Sequence, residues 1–183
     1  STGEQISIAL ISMALKEIGI LAKPLLGWQV PIIGSKEQTK AKINKIDNKL
    51  LLKIINNNEI PIIAGFQGVD DDNNIVTLGR GGSDTSAVAI AAAISADRCD
   101  IYTDVDGIYT CDPRMVSKAK KLERISYEEM LEFASLGAKV LQTRSVEMAM
   151  RHHVTVQVLS SQTGKKGTFL TKADKKMENE LVS

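Results

Sequence analysis

Short apolar runs alternate with segments of helical periodicity along most of the chain, and this alternation limits the fold more than any other feature. The apolar runs are rich in Ile and Val, which favour strands, whereas the segments between them repeat apolar residues every three to four positions. Alternation of this kind is typical of βαβ units. It predicts an α/β fold with a mostly parallel open sheet, helices on both faces and right-handed crossovers.

The predicted elements follow one another from end to end of the chain. Five strands are predicted over residues 20–26, 60–66, 75–78, 100–105 and 154–159. Five helices are predicted over residues 1–19, 43–55, 85–96 and 126–136, and from just after Gly137 to about residue 152.

The first predicted helix has marked ends and an apolar surface. Ser1 with Glu4, and Thr2 with Gln5, have the spacing of a capping box, and a glycine follows at position 19. Apolar residues cover much of its circumference, so we expect this helix to be buried. These residues are Ile6, Ala9, Leu10, Met13 and Leu15.

Charge and composition exclude two classes of partner. The formal net charge of the 183 residues is +1, with lysines and arginines dispersed among acids, which argues against nucleic acid and anionic membranes as partners. The longest apolar run, over residues 6–15, is shorter than the roughly 20 residues that span a bilayer. We expect a cytoplasmic protein in which the thiols of Cys99 and Cys111 are free.

A glycine-rich turn over residues 79–84 joins a predicted strand to an alanine-rich helix. Its three glycines let backbone amides approach a ligand, and the N-terminus of the helix adds positive potential. Arg80 contributes a planar guanidinium that suits a carboxylate or a phosphate. The turn therefore predicts a small-anion site. The alternative is a tight turn in which Ser83 or Asp84 only caps the helix.

Two other polar clusters favour structural roles. The three aspartates over residues 70–72 lie between two apolar strands and are followed by asparagines, which indicates a solvated hairpin loop rather than a metal site. His152 and His153 follow an arginine at the end of a predicted helix, where cations interact favourably with the helix dipole. Neither cluster is predicted to be a site.

The chain from Ser1 to about Leu170 resembles aspartate kinases of the amino-acid kinase family. Residues 77–87, TLGRGGSDTSA, carry the most specific part of the resemblance. Other stretches agree with the family in the same order, namely residues 1–5, 26–29, 65–66, 102–114 and 137–141.

The resemblance implies a substrate site for L-aspartate. In the family pattern Glu4 binds the substrate ammonium and Arg80 its α-carboxylate, with Phe66 and Ser83 near the same pocket. Asp84 would, by analogy, orient catalytic lysines. From the residues alone, Glu4 is equally well explained as half of a capping box.

The resemblance also implies a nucleotide site, formed by Thr103, Asp104, Tyr109, Arg114 and Lys139. The first two end a predicted parallel strand, where ligands of open α/β sheets gather. Without the resemblance, Asp104 would be explained as a turn residue and Lys139, at a helix start, as a solvated surface charge. In the family role, Lys139 contacts phosphate and takes part in catalysis.

The implied reaction transfers the γ-phosphoryl group of ATP to the β-carboxylate of L-aspartate, giving 4-phospho-L-aspartate, the first step towards lysine, threonine and methionine. The carboxylate, with an ordinary pKa of about 3.9, is ionised at neutral pH and needs no general base. Catalysis then rests on positioning and charge neutralisation, with Mg²⁺ bound to ATP rather than in a separate protein site.

The family pattern also includes parts that these 183 residues do not contain. They are an N-terminal lysine followed by a glycine pair, which contacts the phosphates, and C-terminal regulatory ACT domains. We therefore expect residues 1–170 to be a partial catalytic domain and residues 171–183 a linker, within a protein that could form a homo-oligomer. Gln142 and Thr143 stand where the family usually has His-Pro.

Two other functions stay open at this point. One is a non-catalytic remnant that binds nucleotide or aspartate, and the other is a related kinase that acts on glutamate or UMP, against which the arginine in the turn argues. Because the N-terminal lysine is not among these residues, we expect the 183-residue chain alone to form little acyl phosphate. Hydroxamate formation from aspartate, ATP and hydroxylamine at a normal rate would contradict this.

Overall fold

The computed structural model describes residues 1–137 and 140–173, and its contacts divide the chain into two compact units. The first unit is Ser1–Ser95 and the second is Ala96–Ser183. Each unit is described by itself. Within the described residues no helix is both long and apolar enough to cross a membrane.

The first unit contains three helices and six strands. The helices are α1 (Thr2–Glu17), α2 (Lys49–Asn56) and α3 (Gly82–Ala93). The strands are β1 (Ala22–Leu25), β2 (Ile32–Gly34), β3 (Ile43–Ile46), β4 (Ile60–Ile63), β5 (Gln67–Val69) and β6 (Ile75–Thr77).

These strands form two sheets over an aliphatic core. The first sheet is the parallel pair β1 and β4, and the second has the order β3-β2-β5-β6. The core lies where both sheets meet α2, because this helix turns its apolar face inwards. Its buried members are Leu25, Val30, Ile32, Leu51 and Ile54.

The second unit is built on one four-stranded sheet with the order β7-β9-β10-β8. The strands are β7 (Cys99–Thr103), β8 (Arg124–Ser126), β9 (Val156–Ser160) and β10 (Thr168–Thr171). The helices are α4 (Tyr127–Ser135) and α5 (Thr143–His152). All five residues of β9 are buried, as expected for a strand between two neighbours.

The α/β class is confirmed, but the described residues do not form the single sheet predicted, and their strand pairs are mixed, with four parallel and three antiparallel. The strands belong to three sheets, and the pairs β2–β3, β5–β6 and β9–β10 run antiparallel. The physical reason is short connections: β5 and β6, for example, are joined by a tight turn, and only antiparallel strands can be joined so directly. The placement of helices on both faces of the sheet, which would give three layers, stays a prediction.

The turn between β5 and β6 is the hairpin predicted at the aspartate run. Asp70 is its anchor, because one carboxylate oxygen accepts hydrogen bonds from the backbone amides of Asp72 (3.0 Å) and Asn74 (2.8 Å). The other oxygen accepts from the side chain of Asn74 at 3.1 Å. Asp70 is therefore buried rather than solvated, at 4% exposure, and its oxygens serve the turn.

Helix α1 has the predicted extent but not the predicted burial. Ile6, Leu10 and Met13 are 57%, 60% and 61% exposed, and only Ile8 and Ser12 are buried. The prediction fails because an apolar circumference leads to burial only if other elements surround it. Within the first unit, α1 packs on β1 and β4 along one edge.

Three other helix predictions began at the wrong residue, one of them α3, which starts at Gly82 rather than Thr85. Residues 43–46 form β3, because they pair with β2. Helix α2 starts only at Lys49, whose backbone amide donates a hydrogen bond to the Asp47 carboxylate at 3.1 Å. In the second unit α5 starts at Thr143, with Gln142 as its N-cap, and not directly after Gly137. By contrast, the capping box of Ser126 and Glu129 at the start of α4 is confirmed.

The predicted linker falls largely on residues that the structure does not describe. Strand β10 ends at Thr171, and residues 174–183 lie outside the described residues. The linker and the boundary at residue 170 therefore stay predictions.

Close packing of β10 on β9 at Gly167 gives a stability prediction. A Cβ atom at this position would overlap the carbonyl oxygen of Val158. Val158 is the β9 residue that pairs with Thr168, the residue after Gly167. We expect Gly167→Ala to lower the free energy of unfolding by about 1–3 kcal/mol, measured by urea denaturation. Gly3→Ala is the control, because no atom lies within 4 Å of its added Cβ. Equal denaturation midpoints for the two variants would contradict the packing described.

Candidate active site

The turn between β6 and α3 has the backbone that its glycines predict. Gly79 and Gly81 have φ angles of +74° and +69°, in the left-handed region that residues with a Cβ rarely adopt. Gly81 is the N-cap of α3, and no side-chain cap bond closes that end of the helix. The Gly82 amide donates to the Gly79 carbonyl at 3.0 Å, so the amides of Ser83 and Asp84 are the first-turn donors left for an anion.

Phe66 is held against this turn. A Cβ on Gly82 would lie only 2.9 Å from Cδ2 of Phe66 and 2.8 Å from Cβ of Leu78, so the third glycine makes room for both side chains. The Phe66 amide donates to the Ser86 hydroxyl at 3.3 Å, and its carbonyl accepts from the Leu78 amide at 2.9 Å. Phe66 has a φ of +70°, which these contacts impose on a bulky residue.

A buried glutamine connects the first turn of α1 to this region. Gln67 is fully buried, accepts a hydrogen bond from the Gln5 side chain (3.2 Å) and donates one to the Ser1 carbonyl (3.2 Å). Glu4 therefore lies on a helical turn that is tied to the residue next to Phe66. Sequence reasoning missed Gln67, although a glutamine between Phe66 and the Gly68-Val69 pair, directly after a predicted buried strand, was a visible signal.

The capping box predicted at the start of α1 is only half formed. Ser1 is the N-cap of α1 but makes no side-chain cap bond, and the Gln5 side chain turns to Gln67 instead. The Glu4 carboxylate lies 3.4 Å from the backbone nitrogen of Ser1, which is the reciprocal half of a capping box. The Glu4 side chain is still 38% exposed, so a ligand ammonium group, which the family pattern assigns to it, can reach the carboxylate.

Arg80 is the only arginine among the first 95 residues of the sequence and is exposed. Among the described residues its guanidinium has no hydrogen bond or ion pair, so its five donors are open to an anion. Ser83 is also exposed. Asp84 is half-buried, and burial raises the pKa of its carboxyl, an effect that a hydrogen bond from the Ser83 hydroxyl partly offsets.

Four of the five predicted nucleotide residues line one cavity at an edge of the sheet in the second unit. β7 and β9 run parallel, with Thr103 paired to Ser160, so both strands end at the same edge. A cavity of about 1130 Å³ lies there and is lined by Thr103, Asp104, Tyr109 and Arg114. Sequence reasoning missed the end of β9 and the residues after it, of which Ser160, Gln162 and Thr163 line the same cavity.

Two of the three carboxylates around this cavity already have cationic partners. Asp106 lies 3.7 Å from the Lys121 ammonium, and Asp112 lies 3.3 Å from Nε of Arg114. Asp104 accepts only the Thr103 hydroxyl, at 3.1 Å, among the described residues. Its charge is thus the one left for a hydroxyl group or a cation that arrives with a ligand.

Lys139 lies outside the described residues, so its predicted role is not tested. Gly137 and Val140, the nearest described residues before and after it in the sequence, both line the cavity. No group of three or more His, Cys, Asp or Glu residues that could hold a metal ion occurs in the described parts of the chain.

The sequence model of the amino acid kinase family matches residues 1–160. The chain belongs to the amino acid kinase family. Within this family it is similar to the aspartokinase of Pseudomonas aeruginosa, with 51% identity over 185 residues, and to that of Rickettsia felis, with 49% identity over 184 residues. These alignments cover 100% of this chain but 45% and 46% of the two relatives.

The fold agrees with this family assignment. The crystal structure of E. coli aspartokinase III in complex with aspartate and ADP matches with a TM-score of 0.83 and 35% identity, over 94% of this chain and 40% of that one. The chain therefore spans less than half the length of the curated relatives that it matches. The predicted resemblance to aspartate kinases is confirmed.

The carboxyl groups of Asp84 and Asp70 have pKa values shifted in opposite directions, which predicts opposite effects of pH on stability. Burial raises the pKa of Asp84 above 3.8, so ionisation destabilises the folded state as the pH rises through 3.8 to the native pKa. Hydrogen bonds, first from the Asn74 side chain, lower the pKa of Asp70, so its stabilisation is present above 3.8 and is lost as the pH falls through its native pKa.

We therefore expect Asp84→Asn to gain stability over wild type as the pH rises above 3.8, and Asp70→Asn to lose stability relative to wild type as the pH rises from the native pKa of Asp70 to 3.8. Urea unfolding at a series of pH values measures both differences, and NMR titration of the two carboxyl carbons gives the pKa values directly. A carboxyl titration of Asp84 below that of Asp70 would contradict the environments described.

Proposed function

We propose that the chain supplies the aspartate- and nucleotide-binding residues of an aspartate kinase, which transfers a phosphoryl group from ATP to the β-carboxylate of L-aspartate. The observation that carries the proposal is the turn of residues 79–84. It combines an unpaired arginine, glycines in the left-handed region and the uncapped start of a 12-residue helix. This combination suits a small carboxylate rather than a purely structural turn.

Recognition of aspartate in this proposal uses complementary charges in the first unit. The Arg80 guanidinium binds the α-carboxylate through two parallel hydrogen bonds, and the Glu4 carboxylate binds the ammonium group. Phe66 and Ser83 flank these groups, because the packing at Gly82 holds the aromatic ring against the turn. E. coli aspartokinase III, to which the chain is similar, binds aspartate and ADP in its crystal structure.

The nucleotide in this proposal occupies the cavity at the ends of β7 and β9. Thr103 and Asp104 offer a hydroxyl and an unpaired carboxylate, and the Tyr109 side chain forms part of the wall. Arg114 can move from Asp112 to a phosphate at little cost, because it is 87% exposed and exposed ion pairs are weak. Lys139 contributes a further positive charge towards phosphate.

Mg²⁺ would enter this cavity together with ATP. The ion typically uses one or two protein carboxylates, several waters and the phosphates of the nucleotide. The donor set around the cavity fits this, since Asp104 offers one carboxylate without a cationic partner in the described chain. Bound there, the ion would supply charge neutralisation on the transferring phosphoryl group.

Catalysis by these residues consists of orientation and charge neutralisation. The β-carboxylate of aspartate is already ionised at neutral pH, so no side chain has to remove a proton. The protein's task is to fix both ends of the amino acid, which leaves the β-carboxylate as the nucleophile for in-line attack. Asp84 has a poorly solvated charge and therefore gains from a cationic neighbour, in keeping with a role in orienting catalytic lysines.

Substitution of Arg80 tests the proposal. We expect Arg80→Ala to weaken L-aspartate binding roughly 10- to 100-fold, because a charge-assisted pair of hydrogen bonds is lost. Arg80→Lys should restore little, since an ammonium group cannot make the two parallel bonds. Isothermal titration of the 183-residue chain with L-aspartate, L-glutamate and UMP measures these affinities.

Arg98→Ala is the matched control, because Arg98 is also exposed but belongs to the second unit and pairs there with Asp100 at 2.8 Å. It should bind L-aspartate as the wild type does. Preference of the wild type for glutamate or UMP would overturn the assignment to aspartate, and unchanged aspartate affinity in Arg80→Ala would remove its physical basis.

A further inference from the structure

The phenol of Tyr109 is already engaged by a neighbouring carboxylate. Its hydroxyl donates a hydrogen bond of 2.9 Å to Oδ1 of Asp106, three residues earlier in the loop that follows β7. Both residues line the 1130 Å³ cavity. A tyrosine hydroxyl has one proton, so this bond fixes which group the phenol donates to and, with it, the direction of the ring.

The Asp106 carboxylate is itself fixed by a lysine from another segment. Oδ2 lies 3.7 Å from Nζ of Lys121, and this ammonium also donates to the Lys166 carbonyl at 3.0 Å. The two charges are about one-third exposed, so the pair is only partly screened by solvent. One carboxylate oxygen of Asp106 thus accepts the Tyr109 hydroxyl, while the other oxygen faces the Lys121 ammonium group.

The backbone brings these three side chains together. Tyr109 and Lys121 form an antiparallel bridge, and the Lys121 stem crosses the loop at Gly107, where a Cβ would come within 3.1 Å of that stem and 2.7 Å of the Thr168 hydroxyl. The fully buried Thr168 hydroxyl accepts the Ile108 amide at 2.8 Å and donates to the Leu122 carbonyl at 2.6 Å. The loop is therefore hydrogen-bonded to β10 at Ile108, the residue before Tyr109.

We propose that Asp106, braced by Lys121, is a positioning residue of the nucleotide site, which acts by holding the Tyr109 ring as a fixed wall of the cavity. This inference rests on the proposed nucleotide function of that cavity. Because the phenolic proton is donated to Asp106, Tyr109 offers the nucleotide its ring surface and an oxygen lone pair. It does not donate a hydrogen bond to phosphate.

ADP binding to the 183-residue chain tests the proposal. We expect Asp106→Ala and Tyr109→Phe each to weaken ADP binding about three- to tenfold, as loss of one orienting hydrogen bond predicts. The double variant should be no weaker than the weaker single variant, because both changes remove the same bond. Tyr109→Ala should lose more, since it removes the wall itself. Asp106→Asn should keep most of the affinity, because an amide oxygen still accepts from the phenol.

A second measurement reports the bond without any ligand. The hydrogen bond to Asp106 raises the pKa of the Tyr109 phenol, so Asp106→Ala should shift its titration to lower pH, followed by NMR of the labelled tyrosine ring. Asp100→Ala is the matched control, because this aspartate also pairs with a cation but lies on β7 outside the cavity lining. It should change neither the titration nor ADP binding.

The outcomes separate the two ideas. Absence of ADP binding by the wild type would overturn the proposed nucleotide site and the positioning role with it. If the wild type binds ADP but Asp106→Ala or Tyr109→Phe binds equally well, or their losses add in the double variant, the positioning role alone is overturned. Tyr109→Phe keeps the packing of the ring, so it remains informative if Asp106→Ala fails to fold.

Discussion

The turn from β6 into α3 depends on three glycines, at positions where a residue with a Cβ atom would be strained or would clash. Gly79 and Gly81 turn the chain through the left-handed region, and Gly82 lets the side chains of Phe66 and Leu78 come against the backbone. This one turn therefore places an arginine, an open helix N-terminus and an aromatic ring side by side. The residues that would recognise a small carboxylate in the first unit are ordered by this backbone rather than by contacts among themselves.

The two units present opposite arrangements of charge. In the first, the single arginine has no anionic partner among the described residues, and the buried amide of Gln67 organises the neighbouring turn without adding a charge. In the second, the described cavity lining carries three carboxylates, of which Asp106 and Asp112 are already compensated. In the proposed function, the arginine would hold the amino-acid carboxylate, and the uncompensated Asp104 would be available to a cation that arrives with the nucleotide.

How far the sequence predicts the structure depends on the range of the interaction. The capping box of Ser126 and the turn after Leu78 were predicted, because each is decided within a few residues. The burial of α1 and the helix over residues 43–55 were predicted wrongly, because exposure and strand pairing depend on elements far away in sequence. The start of α5 at Thr143 explains the departure from the family's His-Pro, since proline is favoured at the first position of a helix but is not required there.

The sequence by itself determined the α/β class, the family and the identity of the residues with suitable chemistry, because periodicity, turn residues and motifs are properties of short segments. Only the tertiary structure decided that Gln67 ties the Glu4 turn to the residue beside Phe66, that the end of β9 joins the cavity of Thr103 and Asp104, and that Asp106 holds Tyr109. Those contacts depend on strand pairing, burial and loop packing, and no local pattern encodes which distant side chain will meet which.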